Sequence, residues 1–287
     1  MYKRQVLDKV GTFGMLRYCL PLFPDAARDL APVVLVLAVV GVLYAALLAA
    51  GQDDLKRLVS YTSIAHFGFI ALGIFAFTTE AATGAVLYMV NHGIATGLLF
   101  LVVGMLVTRG GSQRISDYGG VASAAPLLAG TFLVAGLATL SLPGTNSFVS
   151  EFLVLIGAFP TRPVFTVVAT AGIVLAAVYV LLMYQRTMHG PPRGVLFPDV
   201  PPSPPPDRPA DGGGGATAVL TRPTVRGVVR DLSPRELAVV TPLIALVIGL
   251  GVYPQPLIDL VRPAVQATMV DVGSDPGGIT PTQGGGD

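Results

Sequence analysis

L-S-L-P-G-T-N-S-F-V-S-E-F-L-V-L, residues 140–155, lies inside an apolar stretch that runs from Leu127 to Phe159. The stretch is 33 residues long, and its one charge is Glu151. About 20 apolar residues cross a bilayer core, so this length needs a tilt, a break or both. Pro143 and Gly144 supply the break. Proline removes an amide donor and clashes with the preceding turn, and glycine frees the backbone. Thr145, Asn146 and Ser147 follow and can pair with the freed backbone groups. Broken helices at membrane depth occur where protein or a water-filled cavity surrounds them. An ionisable side chain beside such a break suggests transport. The alternative is a loop between two short helices, with the glutamate near a surface.

The rest of the chain has the same character. It is 52% hydrophobic and only 12% charged, about half the charge of a soluble protein. The expected fold is an all-α polytopic membrane protein. Apolar runs bounded by charges, Pro or Gly place about seven spans: 5–23, 31–51, 59–77, 82–107, the broken 127–159, 164–188 and 237–252. This divides the chain into a six-span bundle at 1–189, an insert at 190–233, a last span at 234–256 and a flexible tail at 257–287. There is no tryptophan, so tyrosines near span ends, among them Tyr18, Tyr61, Tyr118, Tyr184 and Tyr253, are expected to form the interfacial belt. The single cysteine, Cys19, excludes an internal disulfide and reads as a packing residue.

Lys and Arg are distributed unevenly between the two sides. Lys3, Arg4, Lys56, Arg57, Arg109, Arg114, Arg186, Arg193 and the arginines of the insert share one side, whereas Arg28, Arg162 and Arg262 take the other. The positive-inside rule assigns the first side to the cytoplasm and the tail to the outside of the cell membrane. The insert contains P-P-S-P-P-P-D-R-P and G-G-G-G, which cannot bury a core. Arg222, Arg226, Arg230 and Arg235 recur at roughly helical spacing, as a short surface helix or as a topology signal. Asp53, Asp54, Lys56 and Arg57 read as a solvated turn, with a proton entrance as the alternative.

Four ionisable residues inside the spans stand out as candidates. Lys9 lies in the first, in D-K-V-G-T-F-G-M-L-R-Y. It either projects into the bundle or snorkels from a helix end. His66 has Thr62 one turn before it, and His92 has Asn91 before it and Thr96 one turn after. A lone histidine in a helix is usually a hydrogen-bonded structural residue. Two of them, set in chain order between Lys9 and Glu151, make a stronger case for a proton path, because imidazole takes and gives a proton near neutral pH. Neither has a second ligand at i+4, so no metal site is expected. No nicotinamide, flavin or iron–sulfur motif and no nucleic-acid-binding stripe is visible, so no cofactor is expected on this chain.

Taken together, L-D-K-V-G-T-F-G-M-L-R-Y-C-L-P-L-F-P, D-L-K-R-L-V-S-Y-T-S-I-A-H-F-G-F, Y-M-V-N-H-G and L-S-L-P-G-T-N-S-F-V-S-E-F resemble the C-terminal half of the subunit M family of respiratory complex I, the proton-translocating NADH–quinone oxidoreductase. The resemblance covers about residues 6–190 and also fits the last span. It implies an antiporter-like fold of fourteen helices built from two inverted repeats, of which seven spans are present, so an N-terminal half is expected upstream of Met1. It implies that Lys9, His66, His92 and Glu151 belong to a central hydrophilic proton axis. Related subunits typically carry lysine at the last of these positions, so Glu151 favours subunit M. The resemblance further implies partner subunits that hold NADH, FMN, iron–sulfur clusters and quinone. The competing expectations are a subunit of a cation/proton antiporter or membrane-bound hydrogenase, and a truncated structural subunit that transports nothing. The proline-rich insert departs from the family pattern.

Overall fold

The computed structural model describes residues 9–197 and 230–273, and all of the regular structure there is helical. Residues 9–22 form α1, with a π-helical turn at Met15–Cys19. The cause is Pro21, whose ring clashes with the carbonyl four residues back. The Leu20 amide bonds Met15 O instead, one residue further than in an α-helix. Next come α2 (Pro24–Ala50), α3 (Leu55–Phe75), α4 (Thr79–Gly110), α5 (Pro126–Thr139), α6 (Asn146–Ala158), α7 (Pro163–Met188), α8 (Pro234–Val252) and α9 (Gln255–Asp271). Helices α2, α3, α4, α7 and α8 are each long and apolar enough to cross a membrane.

Helix α4 is the central pillar and contacts α3, α5, α6, α8 and α9. Its 32 residues extend roughly 48 Å at about 1.5 Å each, well beyond a hydrocarbon core. Helix α2 packs on α3 and α7. Its opposite side exposes Leu30, Val33, Leu37, Val40, Tyr44 and Leu47. That is one apolar stripe at helical spacing, as a lipid-facing helix requires.

Helix α6 meets α4 through a reciprocal glycine contact. A Cβ on Gly84 would lie 2.7 Å from the Val154 amide, and one on Gly157 would lie 2.2 Å from the Ala81 amide. Small residues at such crossings let backbones approach closely. Glu151 on α6 is thereby pressed against α4.

The break between α5 and α6 is wider than the Pro143-Gly144 pair. Helix α5 already ends at Thr139, and the chain turns through left-handed φ at Ser141 (61°) and Gly144 (93°). Thr145 Oγ1 donates to Leu142 O at 2.7 Å, whereas the Asn146 carbonyl is claimed by Asn91 of α4. The Leu142 and Thr145 amides are satisfied locally, by Leu137 O and Leu142 O.

Four expectations change. The tail expected to be flexible from residue 257 begins with α9, whose Ile258, Val265, Thr268 and Met269 are buried and which packs on α4. Pro256, Pro263 and a polar average hid this one-sided apolar pattern. Residues 274–287 lie outside the described residues. Cys19 is exposed and is not a packing residue. Tyr118 is fully buried and donates to Ser112 O at 2.6 Å, so it locks a loop and does not belong to an interfacial belt.

The fourth change concerns the insert, both ends of which are packed. Residues 189–195 pair with the loop after α4 through Gly120 N to His189 O, Arg193 N to Gly119 O and Val195 N to Asp117 O. Leu196 and Phe197 are buried behind them. At the other end, Asp231 accepts from the Leu127 and Leu128 amides at 2.9 Å each and caps α5, which has no capping side chain of its own. Arg230 is not helical. Residues 198–229, with Arg222 and Arg226, lie outside the described residues. The Asp53–Asp54 turn is likewise built in. Asp53 holds the Ser116 amide at 2.9 Å, and Asp54 caps α3 through the Arg57 amide.

Candidate functional site

Tyr88 and His92 stand one turn apart on α4 and therefore share a face. His66 on α3 and Glu151 on α6 meet that face from two sides. All four are buried: His66 4%, Tyr88 0%, His92 2% and Glu151 4% exposed. His66 Nδ1 lies 2.5 Å from the Tyr88 hydroxyl, and that hydroxyl donates to Glu151 Oε2 at 2.9 Å. Ser141, at the left-handed turn of the break, donates to the same carboxylate oxygen. These contacts form one hydrogen-bonded line, from α3 through α4 to α6 and the break.

The line continues on the far side of His66. The His66 and His92 rings sit edge to face with centroids 5.1 Å apart. Thr96 Oγ1 lies 3.4 Å from His92 Nε2. Phe67 stacks obliquely on His92 at 5.9 Å, and Lys9 Nζ lies 5.3 Å from the Phe67 ring centre. An ammonium over an aromatic face is attracted by the ring quadrupole. Lys9 thus reaches into the bundle instead of snorkelling outward, and the structure brings all four sequence-derived candidates together.

Two members of the line were missed by sequence reasoning, Tyr88 and Ser141. A tyrosine in an apolar run usually reads as core, and a serine near Pro-Gly reads as a turn residue. One signal was present: Tyr88 precedes His92 by four residues in Y-M-V-N-H. Thr62, expected beside His66, instead donates to Val59 O.

The chemistry follows from the donor inventory. Among the described residues the ion pair is Arg109–Glu236, and Glu151 has no counter-charge. Its partners are two neutral hydroxyls. A hydroxyl has one proton and two lone pairs, so it can serve either form of the carboxyl. When Tyr88 donates to Glu151, its oxygen accepts from His66 Nδ1–H. His66 Nε2 then carries the lone pair, and that atom is buried with no hydrogen-bond partner among the described residues. Imidazole can gain a proton at one nitrogen and release one from the other. The tyrosine hydroxyl can likewise accept on one side as it donates on the other.

A second polar cluster holds the two helices in register. Asn91 Nδ2 donates to Asn146 O at 2.8 Å and to Ser150 Oγ at 3.2 Å. Asn146 Nδ2 donates back to Asn91 O at 3.2 Å. This two-way clamp joins the first turn of α6 to α4 beside Tyr88 and Glu151. A cavity of about 310 Å³ reaches Glu151 and Ser141 from the flank of α6 and α7, past Phe148, Phe152 and Ile173.

Comparison with known proteins bears on what this line does. The family described as "NADH:quinone oxidoreductase/Mrp antiporter, TM" matches residues 5–176. NADH-quinone oxidoreductase subunit M of Mycobacterium tuberculosis H37Rv is 47% identical over 268 residues, which is 93% of this chain and 43% of that protein. A chain of respiratory complex I from Thermus thermophilus with bound NADH superposes with a TM-score of 0.77 at 29% identity, over 93% of this chain and 50% of that one. A chain of the Mrp complex from Dietzia sp. shares the fold, with a TM-score of 0.71 at 20% identity over 92% of this chain and 53% of that one. The chain spans about half the length of the curated relatives it matches.

Proposed function

The chain belongs to the NADH:quinone oxidoreductase/Mrp antiporter transmembrane family, and from that premise we propose that it carries a proton through the membrane arm of an NADH–quinone oxidoreductase. The observation that carries this reading is the unbroken contact line His66–Tyr88–Glu151, which holds a buried carboxyl between two hydroxyl donors, with no cation paired to it among the described residues. In this reading a proton enters near Lys9 and passes by way of His92 to His66 Nε2. His66 Nδ1 passes a proton to Tyr88, and Tyr88 passes its own to Glu151. The step between the two imidazoles is within reach of one bridging water or a ring rotation. The Glu151 carboxyl holds the proton for release.

Electron transfer from NADH to quinone, with FMN and iron–sulfur clusters, belongs in this reading to partner subunits. Moving one charge against about 100 mV takes about 2.3 kcal/mol, which that chemistry supplies. The basic loops face the cytoplasm, and the bilayer is the cell membrane. The 47% relative named for the oxidoreductase favours this reading over a cation/proton antiporter.

The test is Glu151→Gln in inverted membrane vesicles. Glutamine keeps the shape and the hydrogen bonds but cannot ionise. The expected result is normal assembly with NADH-driven proton uptake abolished or strongly reduced, and Glu151→Asp keeping part of it. Full uptake by the glutamine variant would sink the proposal. Cation-dependent proton exchange in the absence of NADH would move the chain to the antiporters.

A further inference from the structure

We propose that the end of α7 on the basic face holds the phosphate group of an anionic phospholipid. A concavity of about 330 Å³ lies there, lined by Leu182, Gln185, Arg186, His189, Gly190 and Arg193. Arg186 stands in the last turn of α7, and Arg193 follows on the ordered segment after it. Among the described residues neither guanidinium has a carboxylate within ion-pairing distance, and the nearby Asp117 carboxylate is turned to Ser112. Two cations that share one concavity, with no carboxylate paired to either among the described residues, call for an anion.

The arginines are placed by backbone packing. The Arg193 amide donates to Gly119 O at 3.3 Å, and its side chain lies so close over Gly119 that a Cβ there would come within 2.6 Å of Cγ and Nε. A Cβ on Gly120 would meet the Pro192 backbone at 2.6 Å. His189 is held by the Gly120 amide and by an edge-to-face contact with Tyr184 at 5.3 Å. The segment is thus fixed against the loop after α4, and its side chains share one pocket.

A phospholipid is favoured over a free anion by what lies beneath. Val174, Val178 and Leu181 are exposed on α7 in one stripe that leads to Gln185 and His189. From Val174 to Gln185 the helix rises roughly 16 Å, close to half of a hydrocarbon core of about 30 Å. An acyl chain can lie along this stripe while its phosphate sits between the arginines. Basic pockets beside membrane helices recognise anionic headgroups by this combination of charge and apolar reach. The proposal does not depend on proton transport.

The test uses the full-length protein in its native membrane assembly, delipidated in neutral detergent. It is titrated with spin-labelled phosphatidylglycerol and, separately, phosphatidylcholine. Arg186→Gln/Arg193→Gln is expected to lose one phosphatidylglycerol site or weaken it roughly tenfold or more, with phosphatidylcholine unchanged. Arg186→Lys/Arg193→Lys, which keeps the charge, is expected to bind within about threefold of wild type and also serves if the glutamine variant fails to assemble. Glu151→Gln should bind lipid as wild type does, which separates this inference from the transport reading. Equal phosphatidylglycerol occupancy in the glutamine variant, an equal loss of phosphatidylcholine, or a lysine variant no better than the glutamine one would overturn it. So would displacement of the lipid by millimolar inorganic phosphate, which would make the occupant a free anion.

Discussion

Helix α4 carries ionisable groups at two levels and treats them in opposite ways. At mid-length, Tyr88 and His92 face His66 and Glu151, with no countercharge for the carboxylate among the described residues. At its end, Arg109 is fully engaged. Its guanidinium grips both Glu236 oxygens at 2.7 and 2.9 Å and also donates to Met105 O, Arg230 O and Asp231 O. A bidentate, multiply bonded pair has a definite charge state and a definite place. A carboxyl held by hydroxyls can exchange its proton without losing its partners. The first arrangement fastens loops together, and the second can move protons. The difference predicts that substitutions at mid-helix cost transport and spare assembly, whereas those at the helix end do the reverse.

Tyr88→Phe should break this contrast most strongly if the reading is wrong. It removes one oxygen from the middle of the line and keeps the ring packing. NADH-driven proton uptake should fall about tenfold or more, in line with the loss of one proton-transfer group, while a native gel shows normal assembly. Unimpaired uptake would mean that protons bypass the His66–Glu151 contact.

Lys9→Ala should reduce uptake several-fold, against less than twofold for Lys56→Ala. The first removes the ammonium over Phe67 beside the histidines, and the second removes a charge from the start of α3. Equal effects would detach α1 from the path.

At the other level, Asp231→Ala should leave uptake per assembled complex within about twofold. It strips the cap from α5 and should lower stability by about 1–2 kcal/mol, readable as an earlier thermal loss of the assembled complex. A change in uptake without a change in stability would show that the helix-end junction also takes part in transport.

The smallest effect is expected from replacing residues 199–229 by about ten Gly and Ser residues, which reach about 33 Å when extended. This keeps Phe197, Arg230 and Asp231, which are all packed or bonded. Deleting the whole span 190–233 would remove the α5 cap and the Gly119–Arg193 contact as well. It should therefore resemble Asp231→Ala or worse.

What the sequence alone determined is whatever a local pattern can encode. Span positions follow from apolar length against bilayer thickness, and the break inside Leu127–Phe159 follows from Pro143-Gly144 within a 33-residue apolar stretch, longer than one crossing needs. Lys9, His66, His92 and Glu151 stood out because an ionisable residue in an apolar run needs a reason. What only the tertiary structure decided is which partner each of them meets. Tyr88 joins Glu151 across 63 residues and His66 across 22, and Asp231 caps α5 from 104 residues away. Asp231 is not marked as special by its sequence neighbours, and Tyr88 is marked only by standing one turn before His92. The physical reason lies in close backbone approach and helix register. Gly84 and Gly157 let α6 come near enough to α4 for the Tyr88 hydroxyl to reach the Glu151 carboxylate, and the Asn91–Asn146 clamp sets the two at the same height.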